Sequence, residues 1–158
     1  MIAKIRPMTQ RDKPAIVEML SATPEFKPAE VVVAEEVIDS HLKTHQSGYH
    51  ILVAEVEPLV VGYICYGPTP LTEGTWDIYW LAVAGEKQSR GVGGALTAFA
   101  EGEIKRAGGR LAIVETSSKP EYEKTRRFYH RHGYEVVGRL PDFYAPGDDK
   151  LILQKRLL

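Results

Sequence analysis

Residues 75–96, TWDIYWLAVAGEKQSRGVGGAL, constrain the fold of this chain more than any other stretch. The first half alternates at the two-residue period of a strand, placing Trp76, Ile78, Trp80 and Ala82 on one face and Asp77, Tyr79, Leu81 and Val83 on the other. The second half turns through Arg90, Gly91, Gly93 and Gly94 into an amphipathic helical pattern. Strand, glycine turn and helix in that order aim a helix N-terminus at whatever lies beyond the strand. The first N–H groups of a helix lack intrahelical partners, and glycine has no Cβ to hold a ligand away, so such a turn suits phosphate or pyrophosphate.

Two phosphate-binding motifs are absent. The chain has no GxxxxGK[ST], and GxGxxG fails because Leu96 stands where a small residue is needed. A tight strand-to-helix connection is the competing reading of an RGxGG turn, and the rest of the chain discriminates between the two.

The chain of 158 residues suits one domain, 1–158, with a sizeable core. Hydrophobic residues make up 44% and charged residues 26%, the balance of a soluble globular protein. A net charge of −1 offers no field for nucleic acid or an anionic membrane, so neither partner is expected. Cys65 is the only cysteine and lies in an apolar run, which suits a buried small hydrophobe in a reducing compartment. The N-terminal residues MIAKIRPMTQ lack the apolar core of a signal peptide, and no apolar stretch reaches the roughly 18 residues of a membrane helix. A cytoplasmic protein is expected.

In chain order, residues 2–8 read as a strand, and Thr9 or Asp12 caps a helix to about Leu20, with Pro14 favouring Asp12. A second helix starts at Pro28, with Val31, Ala34, Ile38 and Leu42 on one stripe. Residues 49–56 and 60–66 form a hairpin, and the strand at 75–83 follows. After the glycine turn, Val92, Ala95, Leu96, Phe99, Ala100 and Ala107 share one helical face, and Gly108-Gly109 ends the helix. Residues 110–116 return as a strand, and a helix beginning near Glu121 places Tyr122, Thr125, Tyr129 and His132 along one face. Strands at 135–138 and 150–157 close the sheet, with residues 141–147 as a loop and turn. The expected class is α+β (α/β in the broad sense), a mixed sheet of about seven strands flanked by about four helices in the order β-α-α-β-β-β-α-β-α-β-β.

That layout, the glycine turn Gln88-x-x-Gly91-x-Gly93 and the segment Phe128-Tyr129-His130-Arg131-His132-Gly133-Tyr134 resemble the GNAT (Gcn5-related N-acetyltransferase) superfamily. The first motif is similar to the family's acetyl-CoA pyrophosphate loop. The second is similar to its helix-to-strand motif, a tyrosine followed by three residues, glycine and an aromatic. The resemblance implies acetyl-CoA as co-substrate, with the main chain of Leu81, Ala82 and Val83 beside the pantetheine arm. It implies that the N–H groups of Gln88, Ser89, Arg90, Gly91, Val92, Gly93 and Gly94 hold the pyrophosphate, and that Tyr129 protonates the departing thiolate. Tyr122 stands where many members carry asparagine, at the contact to the cofactor arm, and Thr125 replaces a frequent alanine.

An aliphatic amine has a pKa near 10, so about one molecule in a thousand is neutral at pH 7 and a base is required. Asp77, on the strand where histone-acetylating relatives carry a glutamate, and Glu115, on the neighbouring strand, are the candidates. Tyr79 shares the alternation of Asp77 and is a candidate acceptor contact. Residues 141–150, PDFYAPGDDK, resemble the aromatic-rich connection of relatives that acetylate protein N-termini, which adds Phe143 and Tyr144 as acceptor contacts. The acceptor is a small amine, an amino acid or a peptide N-terminus. The histidines show no metal-ligand spacing, so no metal is expected. Family members are often dimers, which makes a homodimer an expectation by resemblance. A CoA-binding regulatory domain without turnover is the alternative.

Overall fold

The computed structural model describes residues 3–44, 46–85 and 91–157. The helices are α1 (Lys13–Ala22), α2 (Pro28–Lys43), α3 (Val92–Arg106) and α4 (Glu123–Arg131). The strands are β1 (Lys4–Pro7), β2 (His50–Val56), β3 (Leu59–Pro68), β4 (Thr75–Val83), β5 (Leu111–Ser117), β6 (Glu135–Ala145) and β7 (Asp148–Arg156). They form one sheet in the order β1-β2-β3-β4-β5-β7-β6. Only β4 and β5 run parallel, because α3 carries the chain back across the sheet between them. The mixed sheet of seven strands with four helices is the expected architecture. Its last strand does not close the edge but inserts between β5 and β6.

Each face of the sheet buries a separate core. On one face α3 supplies Val92, Leu96, Ala100 and Ile104, packed with Tyr129 of α4 against Ile64, Ile78, Val114 and Leu153 of the sheet. On the other, Ile16, Met19 and Leu20 of α1 and Ala34, Val37 and Ile38 of α2 cover Val53, Tyr63, Cys65 and Ala82. Cys65 is therefore a core residue, and burial pushes its thiol up to about 12. The helices of this second face lie over β2, β3 and β4 and leave the matching face of β5 open, where the Glu115 side chain is 42% exposed.

Local chemistry explains most element boundaries. Asp12 sits at the N-cap of α1, but its carboxylate turns back to accept from the Thr9 N–H at 2.8 Å and from Arg6 Nη1 at 2.8 Å and Nη2 at 3.0 Å. Pro28 opens α2, and Glu30 in its first turn accepts from the Lys27 N–H at 3.2 Å.

Three expectations are corrected. The buried stripe of α3 runs through Val92, Leu96, Ala100 and Ile104, while Ala95 and Phe99 face solvent. Buried Glu101 also lies on that helix, where it accepts from the Tyr134 hydroxyl at 2.7 Å and pairs with Lys155 Nζ at 2.8 Å, which is how a charge enters the core layer. Residues 141–145 are not a loop: they extend β6 to Ala145, with register shifts between Val136 and Gly138 and between Leu140 and Ala145 that absorb Pro141.

The third correction concerns β4. Cys65 pairs with Trp80 and Tyr66 with Ile78, so Tyr79 is an extra residue on β4. Beyond this bulge the alternation inverts. Trp76 and Ile78 face the α3 core, whereas Trp80 and Ala82 face the α1/α2 core and Leu81 and Val83 return to the α3 side.

The hydrogen bonds from Arg6, opposed by burial and helped by the Thr9 N–H, hold the Asp12 carboxyl below its ordinary value. Its contribution to stability is complete above the unfolded-state pKa of about 4 and is lost as pH falls through the lower folded value. Asp12→Asn is expected to flatten the acid limb of the stability profile, measured by urea unfolding at stepped pH.

Candidate active site

The β4–β5 ladder runs from Thr75↔Leu111 to Ile78↔Val114 and ends there. β4 continues along β3 to Val83, and β5 continues along β7 to Ser117. The two strands separate just where the bulge re-aims β4, and a cavity of about 920 Å³ opens into the fork. Its walls come from Ile78 to Val83 of β4, from Gly91, Gly93 and Gly94, from Val114 to Ser117 of β5, and from α4 and the loop between α1 and α2.

The glycine turn closes one end of this cavity. Gly91 is the N-cap of α3 with a left-handed φ of 82°, and among the described residues no side chain caps the helix. The bond from the Ala95 N–H to the Gly91 carbonyl, 3.0 Å, reaches back to the cap, so the amides of Val92, Gly93 and Gly94 precede the regular ladder. Gly93 and Gly94 carry a packing role that spacing did not reveal. A Cβ on Gly93 would stand 3.2 Å from Phe128 Cε1, and one on Gly94 would stand 2.9 Å from His132 Cε1. The two glycines let the ring residues of α4 lie against the first turn of α3. Gln88, Ser89 and Arg90, also expected here, lie outside the described residues.

The expected helical face of α4 is present: Tyr122, Thr125, Tyr129 and His132 all line the cavity, joined by Phe128. Tyr129 is 4% exposed and meets Phe128 and Tyr134 edge-on at 5.1 and 5.3 Å. Burial pushes its phenol well above the ordinary tyrosine range, so it holds its proton at neutral pH. The Tyr122 hydroxyl donates to the Glu25 carbonyl at 3.0 Å and so ties the α1–α2 loop to the start of α4.

Asp77 pairs in register with Ile113, so Asp77 and Glu115 lie on the same sheet face, the one that α1 and α2 leave open beyond β4. Glu115 lines the cavity and pairs with Lys150 of β7. Asp77 lies outside the lining and accepts from the Thr69 hydroxyl at 2.7 Å. Leu81, Ala82, Val83 and the bulged Tyr79 are in the lining, and burial followed by the charge of Asp77 pushes the Tyr79 phenol up to about 12. Of the two expected aromatic contacts on β6, Tyr144 lines the cavity, whereas Phe143 lies outside it under Lys150 Nζ, 4.3 Å from the ring centroid.

Sequence reasoning missed Glu25, Ser117, Asp148 and Lys150. Buried Asp148 accepts from the Ser117 hydroxyl, and both line the cavity. These contacts exist because β7 lies beside β5, a pairing that no local pattern announces. The acids of the lining, Glu25, Glu30, Glu115 and Asp148, come from the α1–α2 loop, α2, β5 and β7; Lys27 lies in the chain between the first two, and Lys124 and Arg131 come from α4.

A family model described as an acetyltransferase (GNAT) domain matches residues 47–136, more than half of the chain. The chain belongs to the GNAT acetyltransferase family. An uncharacterized N-acetyltransferase of Methanocaldococcus jannaschii is 32% identical over 105 residues, covering 66% of this chain and 64% of that relative. The chain thus spans just under two thirds of that relative's length. A Desulfovibrio desulfuricans protein assigned to the GNAT family is 40% identical, with a TM-score of 0.94 and 99% of each chain covered. An aminoglycoside 6'-N-acetyltransferase complexed with coenzyme A shares the fold at 18% identity, with a TM-score of 0.78 over 98% of this chain and 97% of that one.

A side chain at Gly94 would displace the ring of His132, which follows α4. Gly94→Val is expected to destabilise the GNAT domain by about 1–3 kcal/mol through overpacking against His132, measured by urea unfolding.

Proposed function

We propose that this protein transfers an acetyl group from acetyl-CoA to a primary amine by direct attack in a ternary complex. The observation that carries the reading is the fork: two separated strands lead to the first turn of α3, with protonated Tyr129 in the wall between. The solved relative with coenzyme A bound has the same fold, which supports the choice of donor.

The donor supplies an activated thioester. The amides of Val92, Gly93 and Gly94, with Gly91 and with Gln88 to Arg90 by resemblance, hold its pyrophosphate against the positive end of the helix. Leu81, Ala82 and Val83 run beside its arm in the manner of an added strand. An N–H group near Ala82 or Val83 meets the developing oxyanion. Tyr122 takes its place in the same wall through its ring, since its hydroxyl is engaged by Glu25.

An ammonium acceptor has three N–H protons, and the amide product keeps one. One passes to a base and then to solvent, and one balances the thiol that leaves. Of the two candidate bases, Glu115 is the one that lines the cavity, which favours it. Asp77 shares the face of Glu115 but not the cavity wall, so its part would be played through a bridging water. Tyr129 returns a proton to the sulfur; Tyr79 and Tyr144 line the acceptor side, with Phe143 at its margin beneath Lys150.

Acetyl-CoA at a hundred times its Kd is expected to stabilise the protein by about 2.7 kcal/mol, and the absence of a thermal shift would remove the reading. In a thiol-release assay across amines and short peptides, Tyr129→Phe should lower kcat by about a hundredfold while CoA affinity by calorimetry is retained. Equal turnover by that variant would exclude the acid role. Glu115→Gln is expected to abolish the rise of kcat/KM with pH and Asp77→Asn to shift it less; the opposite ranking moves the base to Asp77.

A further inference from the structure

Asp148 opens β7, and its carboxylate has no part in the acetyl transfer as described. The residue is 4% exposed and lines the cavity of the fork, but not the second cavity beside β1 and α1. One of its oxygens, Oδ1, accepts from the Ser117 hydroxyl, and among the described residues nothing donates to the other. Among those residues, the polar side-chain atoms sealed from solvent without a partner are Glu25 Oε2 and Tyr63 Oη. The second oxygen of Asp148 is therefore not sealed, and it opens into the fork.

The neighbouring cations are engaged elsewhere. Lys150, two residues along the same strand, pairs with Glu115 and lies over the Phe143 ring at 4.3 Å from the centroid. Arg126 donates to the carbonyls of Ser117 and Lys119 at 2.7 and 2.9 Å. Among the described residues no cation pairs with Asp148.

A carboxylate held out of bulk water without a counter-charge favours a cation supplied from outside. The acceptor amine is such a cation, since with a pKa near 10 it arrives as an ammonium at pH 7. Ser117 and Glu115 are two apart on β5, Asp148 and Lys150 are two apart on β7, and Ser117 pairs in register with Lys150. All four therefore lie on one face of the sheet, the face left open over β5, and Asp148 shares it with the favoured base. Tyr122 and Tyr144 line the same cavity. Burial, then the charges of Glu30 and Asp148, pushes the Tyr122 phenol up; burial, then Asp148 and Glu30, does the same to Tyr144. Both rings stay neutral, and the faces of such rings attract an ammonium group.

We propose that Asp148 is the docking carboxylate for the amine that is acetylated. The acceptor enters as an ammonium, and that same nitrogen rests on the free oxygen of Asp148 before its proton passes to the base. The inference rests on the acetyltransferase reading and assigns a residue to its acceptor end. It requires no other charge on the acceptor, and the proton balance of the transfer is unchanged.

The test compares 2-phenylethylamine with 2-phenylethanol, which match in shape and differ in the ammonium. Each is titrated by calorimetry at pH 7 into CoA-loaded protein, where no acetyl group is present to be transferred. The wild type is expected to bind the amine about tenfold or more tightly than the alcohol, the value of one charge-assisted contact. Asp148→Asn, which keeps an acceptor for the Ser117 hydroxyl, is expected to bring the ratio close to one with CoA affinity unaltered, whereas Glu115→Gln keeps the ratio. If Asp148→Asn does not fold, as judged by urea unfolding, Asp148→Ser takes its place with the same expected outcome. Equal affinity of the wild type for both compounds, binding of neither, an unchanged ratio in the Asp148 variant or loss of the ratio in Glu115→Gln overturns the proposal and leaves the acetyltransferase reading standing. Failure of CoA to shift the melting temperature removes that reading instead, and the same titrations into the free protein then decide on Asp148.

Discussion

Tyr79 is one residue more than the β3–β4 ladder can pair, and the geometry of the cavity follows from that surplus. Continuous alternation would keep residues 80–83 on the faces set by residues 75–78. The bulge instead rotates residues 80–83 relative to residues 75–78 while β3 still holds them. Pairing with β5 stops at Ile78, and the fork begins. A parallel pair also requires a crossover, and α3 is that crossover, so the helix N-terminus falls beside the point where the strands part.

The wall of the fork is built from contacts that serve folding and the site together. Gly93 and Gly94 admit Phe128 and His132 against the first turn of α3, which fixes the orientation of α4 and with it the inward placement of Tyr129. Tyr129 in turn is part of the core that α3 packs against. On the other side, β7 inserts between β5 and β6, bringing Lys150 to Glu115 and Asp148 to Ser117. The cavity therefore receives side chains from distant parts of the chain, held by the same sheet pairings that hold the fold.

Much of this architecture was legible before any coordinates. Periodicity located the helices and strands, Pro28 and Asp12 marked helix starts, and the glycine turn with the Phe128-to-Tyr134 segment identified the family. Face assignments failed where one residue broke the period: simple alternation across Tyr79 put Trp80 with Trp76, although the two enter opposite cores. The strand over residues 141–145 was hidden for a related reason, since Pro141 and the turn residues around it read locally as loop, while pairing with β7 and bulges accommodate them.

By itself the sequence determined the order of elements, the position of the glycine turn and the inward stripe carrying Tyr129, because these depend on period, turn chemistry and residues close in the chain. Only the tertiary structure decided which of the two candidate bases lines the cavity. The sequence put Asp77 ahead of Glu115, but the bulge and the end of the β4–β5 ladder leave Glu115 in the fork and Asp77 behind it, bonded to Thr69. Asp148 was invisible for the same reason: its place in the cavity depends on β7 lying beside β5, strands that meet only when the sheet is assembled.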